Sequence, residues 1–118
     1  MNITLKGEPK STQHIYKSTC RGRFATVYMS KEGKDLKESY QWQAKSQYKG
    51  KPLEGFLSVS AHLYFGTKRK QDIDNFNKLF FDALSGIVWV DDAQIFDLYL
   101  TKDYDKENPR IEVMIQEI

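Results

Sequence analysis

The chain has a single cysteine and no long apolar run, and these two features exclude several classes of protein. Cys20 is the single cysteine among 118 residues, which excludes an internal disulfide and a zinc site built from several cysteines. No apolar run approaches the ~18 residues needed to cross a bilayer, and the N-terminus lacks the segments of a secretory signal. We therefore expect a cytoplasmic protein without a membrane partner.

Length and composition predict one folded domain. The chain is 118 residues long, with 40% hydrophobic, 29% charged and 14% aromatic residues, which is close to globular averages. The sequence contains no internal repeat and no low-complexity segment. We expect residues 1–118 to share one hydrophobic core.

Charge is divided unevenly along the chain. Residues 1–71 hold 14 Lys and Arg against 5 Asp and Glu, a net of +9, whereas residues 72–118 hold 4 against 11, a net of −7. A basic surface attracts phosphate backbones, and clustered carboxylates suit a hard metal cation. The division indicates metal-dependent nucleic-acid chemistry, although a dipolar solvated surface would have the same composition.

Hydrophobic periodicity predicts an α+β fold, with a mixed sheet of four or five strands backed by two α-helices. Ser30 is the expected N-cap of the first helix, Asp74 that of the second, and Gly86 suits the position after the second helix ends. Residues 7–23 are predicted to form a long polar loop that faces a ligand. Strands are expected at 2–6, 24–29, 56–65, 94–102 and 110–116, and helices at 31–48 and 74–85. In the fourth strand, Phe96, Leu98 and Leu100 are expected to share an apolar face.

Two closely spaced carboxylates, Asp72 and Asp74, directly follow a basic cluster. This cluster consists of Lys68, Arg69 and Lys70. Residues i and i+2 of an extended segment point the same way, so both side chains can present oxygen atoms to one cation. Mg²⁺ commonly binds one or two carboxylates and keeps its other positions for water and substrate phosphate. The alternative is that Asp74 only caps the second helix while Asp72 is solvated.

A second acidic point, Asp91 and Asp92, follows the apolar segment 87–90. Carboxylates at the end of such a segment either form a turn or act as ligands displayed at the edge of the sheet. One of them would add a third carboxylate to the metal site. Lys78 lies one helical turn after Asp74, where it can pair with that carboxylate or offset negative charge on a phosphate.

These residues together resemble the RusA-like Holliday-junction resolvases, which are small homodimeric Mg²⁺-dependent endonucleases. The resemblance rests on an ordered set over ~35 residues, which is far more specific than two aspartates alone. The arm after the first strand departs from the Pro-Pro-Ser run of many members. The set comprises Lys68, Arg69, Lys70, Asp72, Asp74, Asn75, Lys78, Asp82, Ala83, Leu84, Asp91, Asp92, Ala93, Gln94 and Lys102.

The resemblance implies roles for individual residues. Asp72, Asp74 and Asp92 would be the catalytic, metal-binding carboxylates for Mg²⁺, with Mn²⁺ as a substitute, and Lys78 would be the catalytic lysine. Asp91 and Asn75 would be supporting neighbours of that site. Backbone phosphates of DNA would be held by Lys68, Arg69, Lys70, Arg21 and Arg23.

We therefore expect a homodimer that resolves four-way junctions by paired symmetric nicks in recombination and repair, without an organic cofactor. One alternative is a non-catalytic module that binds DNA junctions through its basic half. Another is a different metal-dependent phosphodiesterase that acts on branched DNA or RNA. No role is assigned to His14, His62 or Trp42.

Overall fold

The computed structural model describes residues 1–21, 24–68 and 72–118, without the side chains of residues 13, 14, 19–21, 24–26 and 74. The chain folds as predicted into an α+β arrangement with two main helices and a mixed sheet. In the described residues, no helix has the length and apolar character needed to span a bilayer. The elements are β1 (Asn2–Lys6), α1 (Thr12–Ile15), β2 (Tyr16–Arg21), β3 (Phe24–Met29), α2 (Lys31–Gln47), β4 (Leu57–Phe65), α3 (Asn77–Leu84), β5 (Ile95–Tyr104) and β6 (Arg110–Glu117).

The main sheet has the strand order β1-β6-β4-β5. β6 is antiparallel to both of its neighbours, whereas β5 runs parallel to β4 because the chain crosses over through α3 between them. Alternation in β4 buries every second residue, as the sequence predicted: Leu57, Val59, Ala61, Leu63 and Phe65. These side chains pack against the apolar faces of the helices and form the core.

Helix α2 covers the outer edge of β1 through two glutamines. The side-chain amide of Gln47 exchanges hydrogen bonds with the backbone of Thr4, and that of Gln43 does the same with Lys6, at 2.6–3.1 Å. Ser30 caps the helix as predicted, since its Oγ accepts a 3.1 Å hydrogen bond from the Gly33 backbone N–H. This edge of the sheet is thereby satisfied within the chain.

The prediction of a loop over residues 7–23 was wrong for much of that segment. It contains α1 and β2, and β2 pairs antiparallel with β3 in a separate two-stranded sheet. The segment lacks an apolar pattern because the strands of this hairpin are held by backbone pairing. Among the side chains that the structure describes, the hairpin packs on the core at its base, next to the fully buried Ile15.

The second helix also begins later than predicted. Ile73–Asn75 forms a 3₁₀ turn closed by a 3.2 Å hydrogen bond from the Asn75 N–H to the Asp72 carbonyl, and α3 follows from Asn77. Phe76 separates the 3₁₀ turn from α3, because its ring is buried edge-on against Phe65, with ring centroids 5.0 Å apart. Asp74 is therefore inside the 3₁₀ turn and is not the N-cap of α3. At the other end, Gly86 adopts φ +86°, as predicted.

The fourth predicted strand exists, but its apolar face is not buried. Phe96 is 62% exposed and Leu98 36% exposed, whereas Leu100 is half-buried. β5 lies at the edge of the sheet, so β4 supports it on one side only. Alternation correctly indicated a strand, but whether a layer covers that strand depends on the rest of the fold.

Candidate active site

Asp92 is held in place by the residues that follow α3. Its Oδ1 accepts a 2.9 Å hydrogen bond from the indole Nε1 of Trp89 and a second bond from the hydroxyl of Ser85. Trp89 is fully buried and packs edge-on against Phe81, so the donor is fixed by the core. No described residue donates a hydrogen bond to Oδ2 of Asp92, which leaves that oxygen for a ligand.

Asp91 has a different environment from its neighbour. Its side chain caps the 3₁₀ turn Asp92–Gln94, and Gln94 Oε1 in turn accepts a 2.7 Å hydrogen bond from the Asp91 backbone N–H. The Gln94 amide also donates to the carbonyls of Leu53 and Gly55. Asp91 thus shapes the turn that presents Asp92.

The 3₁₀ turn after the basic cluster carries the other predicted carboxylates. Asp72 is exposed and makes no side-chain capping bond, while the side chain of Asp74 lies outside the described part. Asn75 contributes its backbone, because its carbonyl accepts a 2.8 Å hydrogen bond from Thr12 Oγ1. This contact ties the turn to α1, the short helix that precedes the hairpin.

Lys78 and Asp82 form a cluster with Tyr16, a residue that the sequence analysis had not singled out. Lys78 Nζ lies 3.6 Å from Asp82 Oδ2 and 4.5 Å from the centre of the Tyr16 ring. The Tyr16 hydroxyl donates a hydrogen bond to the same Asp82 oxygen. No motif marks Tyr16, since it stands alone in a polar stretch 66 residues before its partner.

The electrostatics link this cluster to Asp92. The pKa of the Tyr16 hydroxyl is raised above its usual value, first by burial, then by the hydrogen bond to Asp82, and then by the negative charges of Asp82 and Asp92. Tyr16 therefore stays protonated and donates to Asp82. Asp92 is therefore close enough to this cluster for its charge to act on the Tyr16 hydroxyl.

The predicted DNA-binding residues are only partly described. Lys68 is exposed shortly after β4 ends, and Arg21 is the last residue of β2. Arg23, Arg69 and Lys70 lie outside the described residues.

Oxygen is the common donor of the predicted metal ligands, which suits a hard cation such as Mg²⁺. Among the side chains that the structure describes, no three Asp, Glu, His or Cys are grouped to hold a metal, and Asp74 is not one of those side chains. The described part of the site supplies one anchored carboxylate with a free oxygen, Asp92, and one exposed carboxylate, Asp72. This donor set fits a cation that keeps water and phosphate as further ligands.

Comparisons with known proteins identify the family of this chain. Residues 6–116 match the family model of endodeoxyribonuclease RusA. The crossover junction endodeoxyribonucleases RusA of Escherichia coli (strain K12) and of Enterobacteria phage 82 are each 28% identical over 118 residues, covering 99% of this chain and 94% of theirs. The uncharacterized protein YqaN of Bacillus subtilis (strain 168) is 47% identical over 49 residues, which is 42% of this chain and 34% of YqaN. This chain belongs to the RusA endodeoxyribonuclease family.

Proposed function

We propose that the protein is a Mg²⁺-dependent endonuclease that resolves four-way DNA junctions by paired symmetric nicks. The observation that carries this proposal is an anchored carboxylate, Asp92, whose charge acts on Tyr16, the residue that contacts Lys78 and Asp82. The chain that carries this site belongs to an endodeoxyribonuclease family. Full-length relatives named for crossover junctions support this choice of substrate. DNA as the substrate favours a place in the cytoplasm.

Asp72, Asp74 and Asp92 would hold the cation. A bound Mg²⁺ or Mn²⁺ lowers the pKa of a water ligand and polarises the scissile phosphodiester. The protein contributes rigidity, because Trp89 and Ser85 hold Asp92 Oδ1 and so direct Oδ2. Hydrogen bonds of this kind to a metal-ligating carboxylate commonly change metal affinity ~10- to 100-fold.

Lys78 would offset the charge that develops on the phosphate in the transition state. Its side chain is 55% exposed, so its ammonium is within reach of a DNA backbone despite its contacts with Asp82 and Tyr16. A cation placed before the substrate arrives stabilises the transition state without reorganisation.

Basic residues that precede the carboxylates in the sequence would hold the DNA arms through phosphates. These contacts would make binding strongly dependent on salt and largely independent of sequence. The residues are Lys68, Arg69, Lys70, Arg21 and Arg23.

The homodimer would form through β5. Glutamines of α2 cover the opposite edge of the sheet, whereas β5 has no strand partner on its outer side within the described ranges. Phe96 and Tyr99 of β5 are each 62% exposed, and Phe96 stacks on the exposed Phe56 with ring centroids 4.1 Å apart. A long, exposed, apolar edge strand is typical of a surface that pairs with another chain. Two-fold symmetry would match the two nicks in a junction.

A panel of substrates tests this proposal. A synthetic four-way junction, its linear duplex and a four-way RNA junction are incubated with the protein in Mg²⁺ and in chelator. We expect symmetric nicks in the DNA junction only, and only with Mg²⁺. Binding without cleavage would favour the non-catalytic module, and equal cleavage of all three would favour a general phosphodiesterase.

A further inference from the structure

Tyr16, Lys78 and Asp82 form a closed cluster in which each side chain contacts the other two. The Tyr16 hydroxyl and the Lys78 ammonium meet on one oxygen, Oδ2 of Asp82. The same ammonium lies 4.5 Å from the centre of the Tyr16 ring, well within the ~6 Å range of a cation–π contact. Asp82 Oδ2 therefore interacts with both the Tyr16 hydroxyl and the Lys78 ammonium.

Without Tyr16, the ion pair would hold Lys78 only loosely. The side chains of Lys78 and Asp82 are 55% and 30% exposed, and exposed i,i+4 pairs contribute little because the lysine has many rotamers. The aromatic ring occupies one side of the ammonium, and the hydroxyl fixes the carboxylate on another. Both contacts reduce the freedom of Lys78 before any substrate binds.

We propose that Tyr16 is a positioning residue for Lys78, an inference that rests on the proposed function of that lysine. Lys78 and Asp82 lie one turn apart on the same face of α3, and Ser85 is the C-cap at the end of this helix. The hydroxyl of Ser85 donates a hydrogen bond to Asp92 Oδ1. Tyr16 thus sets the ammonium on the same side of α3 as the anchored carboxylate.

The base of the hairpin holds Tyr16 in a defined place. The preceding residue, Ile15, is fully buried, and its carbonyl accepts a 2.7 Å hydrogen bond from the Ser30 N–H. Gly33 permits close packing there, because a Cβ at this position would lie 2.9 Å from Ile15 Cβ and 2.7 Å from Met29 Cγ. The hairpin therefore supports the catalytic lysine through its base.

The first test compares two replacements of Tyr16 in single-turnover cleavage of a saturating four-way junction. Tyr16→Phe keeps the ring and loses the hydroxyl, so we expect the rate to fall about fivefold, the equivalent of one net hydrogen bond. Tyr16→Leu loses both contacts, and its rate should fall at least about tenfold. Affinity for the junction in chelator should change less than about twofold for both. Tyr28→Phe, in the same hairpin, is the matched control and should cleave like the wild type.

The second test asks whether Tyr16 acts through Lys78. In a Lys78→Ala background, Tyr16→Phe should produce no further loss of rate, because the group that it positions is gone. A further fivefold loss in that background would overturn the proposal. So would an effect on affinity equal to the effect on rate, or a wild-type rate for Tyr16→Leu.

A third measurement needs no cleavage and separates this inference from the function on which it rests. NMR relaxation of the side-chain Cε should show Lys78 more restricted than the exposed Lys34 in the free protein. Tyr16→Leu should release Lys78 and leave Lys34 unchanged. An equally mobile Lys78 in wild type and variant would refute the positioning role even if the wild type cleaves junctions. Failure of the wild type to cleave, with Lys78 restricted as expected, would refute the proposed function alone.

Discussion

The indole Nε1 of the buried Trp89 donates a 2.9 Å hydrogen bond to Oδ1 of Asp92. This contact connects the hydrophobic core directly to a proposed metal ligand. Trp89 is fully buried, whereas the other tryptophan, Trp42, is 67% exposed. The contrast makes Trp89 a specific reporter for the site.

In a Trp42→Phe protein, Trp89 is the single tryptophan, and we expect Mn²⁺ to quench its fluorescence in a saturable way. The paramagnetic cation would bind Asp92, next to the indole. Asp92→Asn should abolish saturable quenching, since the amide keeps the hydrogen-bond acceptor and loses the charge. The matched replacement Asp91→Asn should retain it. Quenching that survives Asp92→Asn would place the cation elsewhere.

Lys78→Ala should separate catalysis from binding. If the ammonium acts on the transition state, single-turnover cleavage of bound junction should fall about 10²-fold or more, while affinity changes only slightly. Filter binding in chelator and quenched-flow cleavage measure the two quantities. Lys34→Ala serves as the control for loss of an exposed positive charge. Equal losses in rate and affinity would make Lys78 a phosphate contact only.

How much the sequence could predict depended on whether its pattern was local. The alternation of β4 and the Ser30 cap are local signals, and both were confirmed. The burial of α3 was also predicted correctly, but its start was not. The pairing partner of Phe76 is Phe65, in another element, so no local rule could place that boundary.

One missed residue of the site, Tyr16, depends on a contact between distant parts of the chain. Tyr16 lies in a polar segment, and its contact with Asp82 depends on a hairpin that pairs through its backbone. Trp89 looked like one more apolar residue before the two aspartates. Trp89 lies only three residues before Asp92, but no motif marks its indole as a hydrogen-bond donor to that carboxylate.

The exposed edge of β5 predicts a dimer of two 13.8 kDa chains in solution. Phe96→Lys should shift the protein towards monomer, because it places a charge among exposed apolar side chains that would be covered in the dimer. Val27→Lys alters an equally exposed apolar residue of the hairpin and should leave the dimer intact. Sedimentation equilibrium measures both. A Phe96→Lys protein that remains dimeric would locate the interface away from β5.

The turn between β5 and β6 should show a defined pH dependence. Asp105 accepts 2.8 Å and 3.1 Å hydrogen bonds from Arg110 and the Asn108 N–H, which lower the pKa of Asp105. A lowered pKa stabilises the fold above the ordinary carboxyl pKa, and this contribution is lost as pH falls through the folded-state value. Asp105→Asn should therefore lower the melting temperature at neutral pH and have little effect once Asp105 is protonated in strong acid. Asp97→Asn, on exposed β5, is the control, and a pH-independent difference would contradict this account.

The most direct test of the central claim compares Asp92→Asn with Asp91→Asn in nicking of a four-way DNA junction with Mg²⁺. The two aspartates are adjacent, but Asp91 caps a turn, while Asp92 is an anchored carboxylate whose Oδ2 accepts no hydrogen bond from the described residues. Junction binding in chelator verifies that both variants fold and bind. We predict that Asp92→Asn binds and does not cut, and that Asp91→Asn still makes symmetric nicks. Normal cutting by Asp92→Asn would contradict the assignment of this carboxylate to catalysis.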